Sequence, residues 1–181
     1  TNVFTMKSAI IGSGALTKSG SGRIHLDGYG SQGVSTNNGS VTVSEGVLSI
    51  QGSRSLGSSA GATIVSSGGA LEIRSTAATT YTNEPLTLSG SGIGNGGALR
   101  NIAYNNTWGG PITLAAAARI NSDSGILTLS GGINGNAANR EITFGGASNI
   151  SATTTAIGSN IGQVIKDGAG TFTLGVASTW T

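Results

Sequence analysis

The sequence predicts an all-β protein, a parallel β-helix or β-solenoid of roughly eight to nine coils. Three observations carry that reading. Short alternating apolar runs recur along the chain and are separated by glycine, serine and asparagine, with 32 glycines among 181 residues. The same strand–turn–strand scheme repeats from Leu48 to Leu71 and from Val41 to Ala62, steps of about 23 and about 21 residues. The phrase Leu86-Thr87-Leu88-Ser89-Gly90 returns as Leu127-Thr128-Leu129-Ser130-Gly131, an offset of about 41 that reads as two coils. A β-sandwich would join antiparallel strands by hairpins. Recurrence at a fixed step suits stacked parallel coils, which at about 4.8 Å each would build a rod of about 40 Å. Residues 1–181 are expected to form a single β-solenoid segment, an excerpt of a longer repeat protein.

The elements follow in order. Residues 1–11 read as an entering strand, with Val3-Phe4 and Ala9-Ile10-Ile11 flanking Met6-Lys7. Over residues 14–28, Leu16, Ile24 and Leu26 take inward positions at period two, and Arg23, His25 and Asp27 face out. Residues 29–39 are a glycine- and asparagine-rich insertion. Val41-Thr42-Val43 alternates, Glu45-Gly46 turns the chain, and Val47-Leu48-Ser49-Ile50 resumes; Ala62-Thr63-Ile64-Val65 and Ala70-Leu71-Glu72-Ile73 repeat the scheme. Residues 76–84 form a polar loop containing Tyr81 and closed by Pro85. Between the two echoing phrases lie Ala98-Leu99-Arg100-Asn101-Ile102, a turn over 104–110 with Trp108, and Ile112-Thr113-Leu114. Residues 115–119 have helix propensity, but the window is short and lacks a 3.6-residue pattern, so Ala118-Arg119-Ile120 is predicted as strand. Glu141-Ile142-Thr143-Phe144 and two further strands lead to the closing run Thr171-Phe172-Thr173-Leu174.

Composition excludes several functions. Charged residues are 9% and cysteine is absent, which removes disulfides, thiolate metal sites and cysteine catalysis. Net charge is +2, and the nine cations form no basic run, so no nucleic acid is expected as a partner. No apolar stretch is long enough for a membrane helix, so this segment is not expected to insert in a membrane. Thr1-Asn2-Val3-Phe4 does not open like a signal peptide.

Two stretches share a longer pattern. Leu16-Thr17-Lys18-Ser19-Gly20-Ser21-Gly22-Arg23-Ile24-His25-Leu26 and Val164-Ile165-Lys166-Asp167-Gly168-Ala169-Gly170-Thr171-Phe172-Thr173-Leu174 both read apolar-x-Lys-x-Gly-x-Gly-x-apolar-x-Leu. This resembles the autotransporter-associated β-strand repeat, and the second copy also places Trp180 near that family's aromatic position. The first copy departs from the pattern after Gly28 and recovers at Ser40-Val41-Thr42-Val43. The resemblance implies a passenger segment of a type V secreted bacterial surface protein, extracellular or held at the outer-membrane surface. It assigns no catalytic residues.

The chemistry-bearing residues stand apart from one another in the sequence. Asp27, Glu45, Glu72, Glu84, Asp123, Glu141 and Asp167 lie no closer than three positions to one another and read as solvated charges in preference to a paired acid and base. His25 reads as a surface residue, and no Gly-x-Ser-x-Gly elbow accompanies it. Gly90-Ser91-Gly92-Ile93-Gly94-Asn95-Gly96 lacks the Lys-Ser/Thr of a phosphate loop and the Asp of a calcium repeat, and reads as a turn. Tyr81, Tyr104 and Trp108 could build an aromatic platform for sugars, but packing against the outside or the end of a coil is expected. Asn38, Asn105 and Asn149 open glycosylation sequons that composition alone explains. No catalytic, cofactor-binding or metal residue is predicted. The expected function is that of a non-enzymatic adhesive stalk that pairs with copies of itself. The alternative is a carbohydrate-binding or carbohydrate-cleaving β-helix whose partners are host or surface glycans.

Overall fold

The computed structural model describes residues 3–27, 34–154 and 156–180. Part of the insertion expected at 29–39, with Gly28 before it, lies outside the described residues. The chain winds as a parallel β-solenoid whose strands lie on three faces. The first face is built by β1 (Val3–Met6), β3 (Arg23–Leu26), β5 (Gly46–Ile50), β7 (Gly69–Ile73), β10 (Leu99–Asn101), the second half of β12 (Ile112–Ser122), β15 (Arg140–Gly145) and β17 (Ile161–Lys166). The second face holds β8 (Thr79–Tyr81), β11 (Asn106–Trp108), β13 (Leu127–Leu129), β16 (Ile150–Ala152) and β18 (Phe172–Leu174). The third holds β2 (Leu16–Lys18), β4 (Val41–Val43), β6 (Thr63–Val65), β9 (Leu86–Gly90), the first half of β12 and β14 (Ile133–Gly135), and is extended by a bridge from Ile133 to Ile157. Every pairing among these strands is parallel. Because β12 runs through the corner from the third face to the first, those two faces form one continuous sheet. The alanine-rich window at 115–119 lies within this strand, as its missing helical period predicts.

One ladder measures the coils. Phe4, Ile24, Leu48, Leu71, Leu99, Ile120, Phe144 and Lys166 stand above one another on the first face. Eight passes of that face enclose seven turns, fewer than the eight to nine coils expected; the steps run from 20 to 28 residues, and three of the seven exceed the 21–23 read from the sequence. The coil from Leu71 to Leu99 is the longest and carries a 3-10 turn at Ile93–Asn95. Leu48 pairs Leu71 as its spacing predicts, but Val41 pairs Thr63 in place of Ala62.

The core is a column of aliphatic side chains. The flanking residues of most three-residue strands on the second and third faces are buried and the central one is not, the period-two pattern of a sheet with one wet face. Leu48, Leu71, Leu99, Ile120, Leu88, Leu114 and Leu127 are all within 1% of full burial. No coil could bury these residues alone, so stacking supplies the hydrophobic driving force. Between coils the third face shows a directional set of hydrogen bonds: Leu16 N–H to Ser40 C=O, Val41 to Ala62, Thr63 to Pro85, Leu86 to Pro111, Ile112 to Gly132. Corners demand glycine where coils approach closely. A Cβ on Gly46, at φ 71°, would lie 2.4 Å from the Gly20 oxygen; a Cβ on Gly131 would lie 1.9 Å from the Gly110 oxygen.

Two sequence echoes have a different meaning from the one their spacing suggests. Leu86–Leu88 pairs β6 and β12 on the third face, whereas Leu127–Leu129 pairs β11 and β16 on the second. They share strand-then-glycine chemistry and are not two coils apart. The two Lys-x-Gly-x-Gly copies differ likewise. Lys18 ends a third-face strand and leads into the first face; Lys166 ends a first-face strand and leads into the second. The shared feature is a local turn in which the lysine ammonium returns to its own loop. Lys18 Nζ donates to the carbonyls of Ser19 at 2.9 Å and Gly20 at 2.5 Å, and Lys166 Nζ donates to those of Asp167 and Gly168.

Candidate functional site

The outward positions divide sharply by face. On the second face the central residues form a ladder Thr80, Thr107, Thr128, Ser151, Thr173. On the third they are Thr17, Thr42, Ile64, Thr87, Thr113 and Asn134. Neither ladder holds a charge. Strand residues Arg23, Glu72, Arg100, Arg119, Arg140, Glu141 and Lys166 all belong to the first face.

On that first face the stacking assembles an ion network from residues 49 and 28 positions apart. The Glu72 side chain is only 3% exposed and takes guanidinium hydrogen bonds from Arg23 Nη1 and Nη2 and from Arg100 Nη1. Arg100 Nε donates to Asp123 at 2.7 Å. To reach Glu72, the Arg23 arm crosses the intervening coil, whose outward residues Val47 and Ser49 are both buried. Further along, Arg119 forms a bidentate pair with Asp167, 2.6 and 2.7 Å, which holds the Asp167 carboxyl below its usual range. A groove of about 620 Å³ beside the network is lined by Arg74, which has no side-chain partner among the described residues.

A second concavity, of about 330 Å³, opens where the second face begins. In the coil before β8, residues 52–61 make successive turns (Ser55 N–H to Gly52 C=O, Gly57 to Arg54, Gly61 to Ser58) where a strand would otherwise stand. β8 is therefore the end strand of its sheet, although it lies inside the rod. Tyr81 C=O accepts from Gly109 and Thr79 N–H donates to Asn106 Oδ1, so both residues bond toward the following coil. Alternation then turns the N–H and C=O of Thr80 toward the cavity. Glu84 lines the cavity at 7% exposure, and its Oε1 accepts from Thr63 Oγ1 at 2.7 Å. Desolvation pushes the Glu84 carboxyl up to about 7, against the smaller opposing effect of the Thr63 hydroxyl. Arg54 also lines the cavity and has no side-chain partner among the described residues.

His25 is outward, with Nδ1 3.2 Å from Ser49 Oγ and Nε2 3.3 Å from Gln51 Oε1. Glu72 is buried and paired, against the expectation of a solvated single charge, because stacking brings Arg23 and Arg100 over it; it approaches Asp123 through Arg100, which engages both carboxylates. Glu84 is buried, against the expectation of a solvated charge, because residues 52–61 and the Thr63 strand close over it. The Gly90–Gly96 stretch is a turn, with Gly92, Gly94 and Asn95 all at positive φ. The aromatic expectation is corrected. Trp108 and Tyr81 are 0% and 1% exposed and stack inside the core with ring centroids 5.6 Å apart; only Tyr104 is on the surface. They sit at flanking positions of β11 and β8, which point inward, so neither lies outside a coil. The sequon asparagines serve the coil stack: Asn105 Oδ1 accepts from Ile126 N–H, Asn149 Oδ1 from Thr171 N–H, and Asn38 Oδ1 from Ser58 Oγ. Among the described residues no three of His, Asp and Glu gather as a metal site, and no helix is long and apolar enough to cross a membrane. Comparison of the chain with protein-family models, with curated proteins and with solved structures found no match.

Proposed function

We propose that this chain is a non-enzymatic stalk segment of a bacterial surface or secreted fibre, of the autotransporter passenger type that its two Lys-Gly-Gly units resemble. Its task is reach and display, and its adhesive property is contact between identical rods. The observation that carries this reading is the pair of uncharged ladders, mostly of hydroxyl residues, on two of the three faces. Two copies of a strongly charged face would repel or demand an exact register. Flat ladders of threonine can meet copies of themselves with hydrogen bonds and no desolvated charge. The same geometry argues against glycan cleavage, because Arg100 engages both carboxylates of the first face that come near each other.

The test uses light scattering on the chain and clumping of cells or beads that display it. Wild-type protein is expected to self-associate, and the double variant Thr107→Lys with Thr128→Lys to remain dispersed at an unchanged melting temperature. Equal clumping by both proteins, or no association by either, removes the self-adhesive reading.

A further inference from the structure

We propose that the cavity between residues 52–61 and β8 is a binding site for one acidic sugar unit, a hexuronate, with Arg54 pairing its carboxylate and the cavity wall reading its hydroxyls. Three features of the cavity converge on that ligand. Its volume of about 330 Å³ is at the small end for ligand pockets, which suits a single ring better than a chain. Its wall is polar: Ser58, Thr80 and Asn83 line it together with the cavity-facing backbone of Thr80. Such a set of mixed donors and acceptors matches a ring bearing several hydroxyls. Its charge is also complementary to an anion. Arg54 is exposed and unpaired, and a guanidinium presents a planar fork suited to a carboxylate.

Glu84 supplies the polar floor. Its Oε1 is already held by the Thr63 hydroxyl, and burial keeps a large share of the carboxyl neutral near pH 7, where it can donate to a sugar oxygen without repelling the ligand. The other titratable groups lining this cavity are Arg54 and Tyr81, and the Tyr81 hydroxyl is committed to the Gln51 carbonyl at 3.1 Å and to Ser75. The site owes its existence to the interruption of the second face. A regular strand in place of residues 52–61 would pair with β8 and fill it. The inference is independent of the fibre reading, since the cavity is formed within one chain.

The experiment is a titration followed by amide chemical shifts, with D-glucuronate, D-glucose and D-glucose 6-sulfate as probes at pH 6 and pH 8. Glucuronate is expected to bind one site in the millimolar range, with shifts concentrated at residues 53–59 and 80–84. Glucose should bind at least ~10-fold more weakly, and glucuronate should weaken at pH 8 as Glu84 ionises. Arg54→Ala should weaken glucuronate ~10-fold or more, and Ser59→Trp, which fills the cavity, should abolish binding. Arg74→Ala in the first-face groove should change nothing. Arg54 makes no side-chain bond among the described residues, so its replacement is expected to leave the fold intact. Absence of saturable glucuronate binding, equal affinity for glucose, or unchanged affinity in Arg54→Ala overturns the proposal. Saturation by the sulfate with glucuronate silent overturns the carboxylate assignment.

Discussion

The first face and the other two are built by the same coils, yet they treat charge in opposite ways. The first displays it: Arg23, Glu72, Arg100 and Asp123 form one network across stacked coils, and Arg119 pairs with Asp167 beyond it. The second face has no charged residue in any of its five strands. The third has a single one, Lys18, and it points inward at 3% exposure. Glu84, at the corner between these two faces, is buried as well. A solenoid fixes which positions face the core, since period two does that in every coil. It leaves the outward residues free, and here they make one face a lattice of ion pairs and leave the other two neutral.

The sharpest way to break the contrast is to remove Glu72. Its carboxylate is nearly fully buried and holds two guanidiniums, so Glu72→Ala leaves Arg23 without its partner and Arg100 with Asp123 alone. Breaking a buried pair commonly costs 3–5 kcal/mol, and because Arg23 and Arg100 remain 26% and 34% exposed the cost here is expected at the lower end, about 3 kcal/mol. Thr128→Ala at the equivalent outward position of the second face should cost less than about 0.5 kcal/mol. Denaturant midpoints of the two variants measure the difference. Equal midpoints would mean that the first-face network adds no stability beyond packing.

Lys18 is the next largest effect. Its ammonium donates to the carbonyls of Ser19, Gly20 and, from the next coil, Glu45 at 3.0 Å, so it ties the first turn to the second. Lys18→Met keeps the volume and strands these acceptors, with an expected loss of about 2 kcal/mol. Lys166 makes the same local turn at the other end but is exposed, and its ammonium has no bond to another coil among the described residues. Lys166→Met should lie within about 0.5 kcal/mol of the parent. Similar losses in both variants would show that the turn matters and its burial does not.

These residues also mark how far the sequence can be read. Parallel coils were legible because inward Leu48 and Leu71 repeat at the true coil step. The two-coil echo misled because a Leu-Thr-Leu strand followed by glycine fits any face; local chemistry does not say which one. Trp108 and Tyr81 looked like surface aromatics in polar loops, and only the register of β11 with β8 puts both inside. The ion network was illegible in principle. Arg23 and Glu72 are separated by two coils of unequal length, and their contact depends on the turns between them. Glu84 carried one usable signal, its position just before Pro85 at the end of a polar loop, which marks a corner. Its burial depends on residues 52–61, whose departure from strand geometry has no strong pattern in the sequence.

Glu84 gives the smallest effect and the one with a direction set by pH. Its carboxyl titrates at about 7 in the folded chain against 4.5 when unperturbed, because burial disfavours the charged form. Between those values the native state holds a proton that the unfolded state has released, so stability falls as pH rises. The contribution is complete below about 4.5, declines through the window up to about 7, and has gone once Glu84 is ionised in both states. The corner between the two neutral faces is therefore at its weakest in alkaline solution. Glu84→Gln preserves the shape and an acceptor for the Thr63 hydroxyl while removing the titration. The variant should match the parent at pH 4.5 and exceed its stability by about 1–2 kcal/mol at pH 8, reading the shift as linkage and discounting for solvent access. Parallel stability–pH curves for the two proteins from pH 4.5 to 8 would mean that the corner carries no buried carboxyl. They would also remove the reason for expecting glucuronate to bind more tightly at pH 6 than at pH 8, while leaving the Arg54 test in force.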